Sequence, residues 1–560
     1  MEVPLGPFRF LQRAAKYYPD KTALICGEHS LNYSEFLAGA NRAANLFAGI
    51  APSGNNPPRI AFITWNCHSA IEASFGGLRA PVVRVPINVR LTPREWAYII
   101  NNVNASAVVL DEEFVDSFDS IKSELNSVDH LMVLRERKVG EGSSETLPEG
   151  YTDYESALAE QSSDIDENNM PLRSESEPVE IYFTSGTTGQ PKGVVLSSRN
   201  LYINAINFFL PLQLRPDDIF LHSLNLFHVN GWGGLHFMTA CGGTQVVMRR
   251  FRPEEFCTLV QEHRVTLTCL VPTMLNMLVH YDKLDEYDLN SLRLIMSGGA
   301  KLPTALGREA EAKLDCEILG SYGLTEASPF VTFAEKRFGR DDLNSYSYNG
   351  TAERQACRRQ SIQRVARGES KSESDYKKQF CAGIETLDTE LRVVDEAGGE
   401  VDRDSTSVGE ILIRGNIITE GYWYSEESTG EAFTSDGWFK TGDLAVVDPE
   451  GYVHIVDRKR DIIIRGGENI SSLEIEDVLR THPLVMEVGV IPSHSEKWGE
   501  VPLAVIVLRP GTTPSADELL EFCKEHLASF KVPDSIQFTE ELPKSGTGKV
   551  LKRELRKNFR

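Results

Sequence analysis

Strand-length apolar runs alternate with amphipathic helical segments through the first part of this 560-residue chain. Residues 7–18 place Phe8, Leu11, Ala14 and Ala15 at helical spacing, and residues 22–26 follow as a strand. Residues 34–47 read as a second amphipathic helix with Ser34 as its cap, and 59–64 as a buried strand. The alternation recurs as a helix at 96–102 and a strand at 105–110. Parallel strands need crossovers, and helical crossovers lie on the sheet faces, so the expected class is α/β with parallel sheets covered on both sides. Polar tracts at 138–150 and 161–180 predict surface loops, and the apolar run 179–183 predicts another strand. From about residue 457 the order changes to a helix at 472–480, strands at 485–491 and 503–508, and a helix at 516–527. Roughly 100 residues of that kind suffice for a separate domain. The expected organisation is a large N-terminal domain of αβ-layered sheets over 1–456, a hinge at 457–460, and a small mobile α+β domain over 461–560.

Charge and cysteine content narrow the function classes. The chain carries 58 Lys and Arg against 81 Asp and Glu, a net charge of −23, the reverse of a general nucleic-acid binder. A loop of backbone N–H groups still holds phosphate whatever the total charge. No apolar run approaches the ~18 residues of a membrane-spanning helix. The opening Met1-Glu2-Val3-Pro4 lacks the basic start and apolar core of a signal peptide. The closing Lys557-Asn558-Phe559-Arg560 matches neither the ER-retention nor the Ser-Lys-Leu address, so a soluble cytoplasmic protein is expected. Nine cysteines lie far apart without a C-x-x-C pair, which argues against a disulfide framework or a zinc site. Residues 345–378 are rich in Arg and Lys. The first half can be helical and Gly368 to Asp375 is expected to be irregular. A solvated insertion is the plainer reading, and a docking patch for an acidic partner or anionic cofactor is the other.

Several segments carry chemistry. Thr184, Ser185, Gly186, Thr187, Thr188, Gly189, Gln190, Pro191, Lys192 and Gly193 combine glycines for tight turning with hydroxyls and an ammonium, which suits a polyphosphate. The segment is not a Walker A loop, because Lys192 follows proline and no Ser or Thr follows it. In Gly320-Ser321-Tyr322-Gly323-Leu324-Thr325-Glu326, a Thr and a Glu on a glycine-flanked turn offer one donor to phosphate and one carboxylate to Mg²⁺. Asp443 ends Gly437-Trp438-Phe439-Lys440-Thr441-Gly442-Asp443, where a carboxylate on a glycine turn can accept two hydroxyls. The run Asp457-Arg458-Lys459-Arg460-Asp461 leads to Arg465-Gly466-Gly467-Glu468, and Lys549 closes Ser545-Gly546-Thr547-Gly548-Lys549.

Together these segments, in this order, resemble the adenylate-forming superfamily of acyl-CoA synthetases, beetle luciferases and peptide-synthetase adenylation domains. The likeness also takes in Pro86-Ile87-Asn88 and Phe227-His228-Val229-Asn230-Gly231-Trp232, and is nearest to a fatty or carboxylic acid:CoA ligase. It implies ATP-dependent conversion of an acid to acyl-AMP, then transfer to coenzyme A, with medium-chain or fatty acids favoured. Catalytic roles fall to Lys549, Lys192, Thr325, Glu326 and His228. ATP and AMP contacts fall to Thr184, Ser185, Gly186, Thr187, Thr188, Gly189, Lys192, Gly299, Tyr322, Thr325, Asp443 and Arg458. Glu326 holds Mg²⁺ and Arg460 is the hinge. Gly466, Gly467 and Glu468 border the CoA channel, while His228, Gly231, Trp232, Gly299 and Gly320 line the acyl pocket. ATP, Mg²⁺ and CoA are thus the expected cofactors. The expected partners are small molecules and not nucleic acid, with a homodimer left open. A carrier-protein-loading adenylation enzyme and an inactive nucleotide-binding homologue are the alternatives. The basic stretch, followed by Phe380-Cys381-Ala382-Gly383-Ile384, departs from the family's usual Gly-x-Pro turn.

Overall fold

The computed structural model describes residues 3–51, 56–136, 147–184, 191–334, 372–544 and 549–559. Capping chemistry sets where its helices begin. The first helix is Phe8–Tyr17, and the strand Thr22–Cys26 follows as expected. The next helix, Tyr33–Ala48, is capped by Asn32 and not Ser34. The Asn32 side chain accepts the Glu35 N–H while the Glu35 carboxylate accepts the Asn32 N–H, each at 2.8 Å. Thr92 and Glu95 do the same for Pro93–Asn102. The strands Arg59–Ile63 and Ala107–Asp111 fall within a residue or two of their expected bounds.

Among the described residues the strands form four sheets. The first has seven strands, in the order Thr152–Asp153, His130–Leu134, Ala107–Asp111, Arg59–Ile63, Val83–Pro86, Pro178–Thr184 and Lys192–Ser197. It is parallel except for the final antiparallel pair. The second has nine strands with a parallel centre, including Ile219–His222, Leu267–Leu270, Leu294–Ser297 and Glu317–Gly323. Helices Tyr33–Ala48, His68–Arg79 and Val229–Cys241 contribute to one apolar core with residues of both sheets. His68–Arg79 is buried along its whole length, so the two large sheets enclose a helical layer.

A four-stranded antiparallel sheet follows, ending on Val453–Arg458. The last sheet begins with Ile463–Arg465 and is built around Gly499–Leu508. Buried Asp457 ties the two together. Its Oδ2 accepts from the Ser472 N–H and hydroxyl, each at 2.6 Å, and from the Leu473 N–H at 3.3 Å. That carboxylate satisfies the orphan donors at the start of the helix Ser472–Arg480.

Three local expectations are corrected. Gly320, Tyr322 and Gly323 lie on the strand Glu317–Gly323, not on a turn after it. Asp443 lies inside the strand Phe439–Val447, where Gly442 at φ +71° falls within a register shift against the strand Gly409–Gly415. Most of the basic stretch lies outside the described residues. Residues 373–375, expected to be irregular, open the helix Glu373–Gln379 because Ser372 and Asp375 cap each other. The eight cysteines described are all free, and no helix of the described residues is long and apolar enough to cross a membrane.

Gly383 joins that helix back to the nine-stranded sheet at φ +98°, and a Cβ there would lie 1.9 Å from the Phe333 carbonyl carbon. Both the backbone angle and the space demand glycine. Gly383→Ala should lower the thermal midpoint by several degrees, read by a melting scan against the parent chain; an unchanged midpoint would contradict this packing.

Candidate functional site

Thr184 and Lys192 pair across the antiparallel edge of the seven-stranded sheet. The loop candidates Ser185, Gly186, Thr187, Thr188 and Gly189 lie outside the described residues. The Lys192 ammonium stands 5.4 Å from the centre of the Tyr422 ring, within reach of its negative face. The Tyr422 hydroxyl donates to Glu326 Oε1 at 3.0 Å. One aromatic side chain therefore links the ammonium at the loop's end to the carboxylate expected to hold metal. Thr325 and Glu326 open a short 3₁₀ turn, Thr325–Ala327. Burial raises the Glu326 pKa, opposed by the Tyr422 hydroxyl and the charge of Arg458.

Asp443 is buried beside this turn. It accepts the Tyr322 hydroxyl on Oδ2 at 2.7 Å and faces the Arg458 guanidinium across 3.2 Å on Oδ1. Asp443 and Arg458 are direct neighbours in the four-stranded sheet. Lys549, from the far end of the chain, completes the group. Burial and the like charge of Arg458 push its pKa down to about 8, against the pull of Asp443 and Glu326. A Cβ on Gly299 would lie 3.8 Å from Lys549 Cε and 3.7 Å from Asn230 Nδ2, so Gly299, at φ +81°, is the floor beneath both. His228, at the start of the helix Val229–Cys241, has its pKa lowered to about 3 by burial, Arg90 and Lys549. Its imidazole is therefore neutral at pH 7.

The acyl-pocket candidates divide. His228 and Gly299 belong to the Lys549 cluster. Gly231 and Gly320 are close-approach positions, because a Cβ would fall 2.4 Å from the Asn225 carbonyl oxygen and 2.2 Å from the Cys381 carbonyl oxygen respectively. Trp232 is fully buried, its ring edge-on to Phe75 and His236. Beside Asn230 and Gly231 is a small cavity also lined by Phe220, His222, Ser223, Leu224 and Cys269.

The remaining candidates lie toward the last sheet. The Arg460 carbonyl accepts from Arg556, which also pairs with Asp461 at 2.6 Å. Gly466 and Gly467, at φ +58° and +94°, make the tip of a two-residue hairpin, with Glu468 exposed beside them. Lys301, two residues from Gly299, pairs with Asp477 of the helix Ser472–Arg480 at 2.8 Å, so the last sheet's helix touches the loop that floors the site. Sequence reading missed Tyr422, which lies 96 residues from Glu326 and has no local signal beyond a tyrosine after Gly421. It also missed the Tyr322–Asp443 bond.

Glu326 offers the oxygen chemistry that Mg²⁺ prefers, from a side chain already oriented by Tyr422. A cation that draws its other ligands from phosphate and water needs one such carboxylate. Among the described residues Cys67, Asp111 and Glu136 also bring metal-ligating atoms together, beside the Arg249 guanidinium, which lies 3.1 Å from Asp111. That grouping is an ion-pair cluster.

Comparison with known proteins identifies the family. Residues 11–423 match the family model for the AMP-binding enzyme, and residues 474–549 match that for the AMP-binding enzyme C-terminal domain. The long-chain-fatty-acid–CoA ligase of Thermus thermophilus is 34% identical, over 100% of this chain and 96% of its own. The 4-hydroxybutyrate–CoA ligase 2 of Metallosphaera sedula is 33% identical, over 99% and 94%. The crystal structure of ATP-bound MatB from Rhodopseudomonas palustris is 27% identical, with a TM-score of 0.80 over 99% of each chain.

An ammonium with a pKa near 8 is about half neutral at pH 8, whereas an ordinary lysine near 10.4 is under 1% neutral. The pH dependence of reductive methylation, mapped by mass spectrometry, should therefore show Lys549 reaching half its maximal rate near pH 8. A midpoint near 10.4 would show that its charge is not desolvated.

Proposed function

Because this chain belongs to the AMP-binding enzyme family and is an AMP-forming acid–CoA ligase, we propose that one site serves both half-reactions, with Lys549 present for the first and withdrawn for the second. In the first, a carboxylate oxygen attacks the α-phosphorus of ATP, the α–β bridging bond breaks, and acyl-AMP and pyrophosphate result. In the second, the CoA sulfur, having lost its proton, attacks the acyl carbon and AMP departs with the C–O bond pair. The protein supplies position and charge rather than a nucleophile.

The observation that carries this reading is the placement of Lys549 among Asp443, Glu326 and Arg458. There it spans the incoming carboxylate and the α-phosphate, two anions that otherwise repel. Lys192 and the loop 184–189 hold the outer phosphates, and Thr325 donates to the α-phosphate. Tyr322 flanks the adenine. Asp443 accepts the ribose hydroxyls, with Arg458 beside it. Glu326 would hold Mg²⁺, which supplies charge neutralisation on the phosphates when bound. Neutral His228 and Gly299 border the acid, and Trp232 backs the acyl side. Medium-chain or fatty acids are the favoured substrates, and a cytosolic location belongs to the same reading.

Arg460 is the pivot between an N-terminal unit over 1–456 and a lid over 461–560. Turning there withdraws Lys549 and brings the Gly466-Gly467-Glu468 hairpin to the thiol route, where glycine leaves room for a narrow pantetheine arm. Lys549→Ala should slow ATP–pyrophosphate exchange by about 100-fold or more while CoA still consumes pre-made acyl-AMP at near the parent rate. Equal loss in both half-reactions would sink the two-position reading. Arg460→Pro, which stiffens the pivot, should do the reverse, sparing exchange and slowing thioester formation. A panel of acids in the exchange assay, repeated with CoA and AMP release followed, names the acid; exchange without CoA turnover would point to a carrier-protein thiol instead.

A further inference from the structure

Arg84 and Glu180 lie directly opposite each other on neighbouring parallel strands of the seven-stranded sheet. Their side chains are 3% and 0% exposed, and Arg84 Nη1 lies 2.7 Å from Glu180 Oε1. The same Nη1 donates to the Tyr182 hydroxyl at 3.1 Å, and Nη2 reaches the Leu226 carbonyl at 3.5 Å. The guanidinium carbon lies over the indole of Trp232, 4.2 Å from the ring centre. Burial pushes the Glu180 pKa up to about 7, with Arg84 the strongest opposing influence.

Stability does not explain such a pair. Removing both charges from water is costly, and an apolar pair of similar volume is often as stable or more so. Direction is what a guanidinium adds: a rigid plane whose donors and face point along fixed lines. Here the plane joins three parts of the site. Glu180 and Tyr182 lie on the strand that runs into Thr184 and the phosphate-loop candidates. Leu226 is two residues before His228. Trp232 is one helical turn beyond His228, on the same face of the helix Val229–Cys241.

We propose that Arg84 and Glu180 are positioning residues that fix Trp232 and the first turn of its helix against the phosphate-loop strand, and so set the depth of the acyl site and the carboxylate's distance from ATP. This rests on the reading of Trp232 as the back of the acyl site. Neither residue touches substrate. With the indole held by Arg84, the helix cannot roll about its axis without breaking the buried contact, so the far wall of the acyl site is rigid. Loss of the pair frees the ring to move, so longer or bulkier acids are tolerated better and the preferred acid is held less accurately.

The test is the full chain with Arg84→Met and Glu180→Leu together, an apolar replacement of similar volume. The expected result has a thermal midpoint at or above the parent's and a KM for ATP within about twofold. The kcat/KM for the preferred acid should fall about 10- to 100-fold, and the dependence of kcat/KM on acid length should flatten. Unchanged acid kcat/KM and unchanged length dependence at an intact midpoint would overturn the proposal, as would a loss shared equally by acid and ATP. If the double variant does not fold, Glu180→Gln gives the same readouts with the shape retained. The parent enzyme in the same panel separates the two readings. No acid-dependent exchange by the parent would defeat the ligase assignment itself, whereas exchange that is indifferent to these substitutions defeats only the positioning pair.

Discussion

A carboxylate buried as deeply as Asp443 has to be answered by positive charge and hydrogen-bond donors, and the site is arranged around that requirement. Arg458 answers from the neighbouring strand and Tyr322 from the end of a strand in a different sheet. Lys549 comes within their field from the last segment of the chain. Each of these partners is fixed elsewhere by ordinary packing, so a single acid gathers three otherwise independent layers. The same logic sets the protonation states. Crowding by cations and burial keep His228 neutral and ease the proton on Lys549, while Glu326 keeps its oxygens directed by Tyr422.

The two large sheets and their enclosed helices supply rigidity where the chemistry needs it. His68–Arg79 is walled in on every side, and Trp232, Phe75 and His236 interlock edge to face beside it. Asp457 grips the helix Ser472–Arg480, whereas the adjacent Arg458 grips Asp443 in the preceding sheet. Two consecutive residues thus hold on to opposite sides of the junction. The pivot proposed at Arg460, two residues later, would inherit well-defined ends.

Much of this architecture was legible in sequence because it is written in local periods. The strand Thr22–Cys26 and the helix Ser472–Arg480 have the bounds their apolar spacing implies. The motif residues Glu326, Asp443, Arg458 and Lys549 do converge. What escaped was decided by partners remote in the chain. Gly320 was assigned to a turn because glycine favours turns, yet it lies in a strand, and it is glycine because the Cys381 carbonyl leaves no room for a side chain. Asn32 displaced Ser34 as a cap because Glu35 stands three residues after Asn32 and can return the bond. Tyr422 and the Arg84–Glu180 pair are contacts between segments about 100 residues apart, and no window of sequence contains both partners.

The half-exposed contact between Lys301 and Asp477 has an effect of its own. Pairs of this kind contribute up to about 1 kcal/mol and weaken as dissolved ions compete for them. A change of that size is about a fivefold change in a two-position ratio. In the two-position reading proposed above, the balance between the two arrangements would therefore shift with ionic strength. Dissolved salt would then act on the enzyme through this contact as well as through its charged substrates.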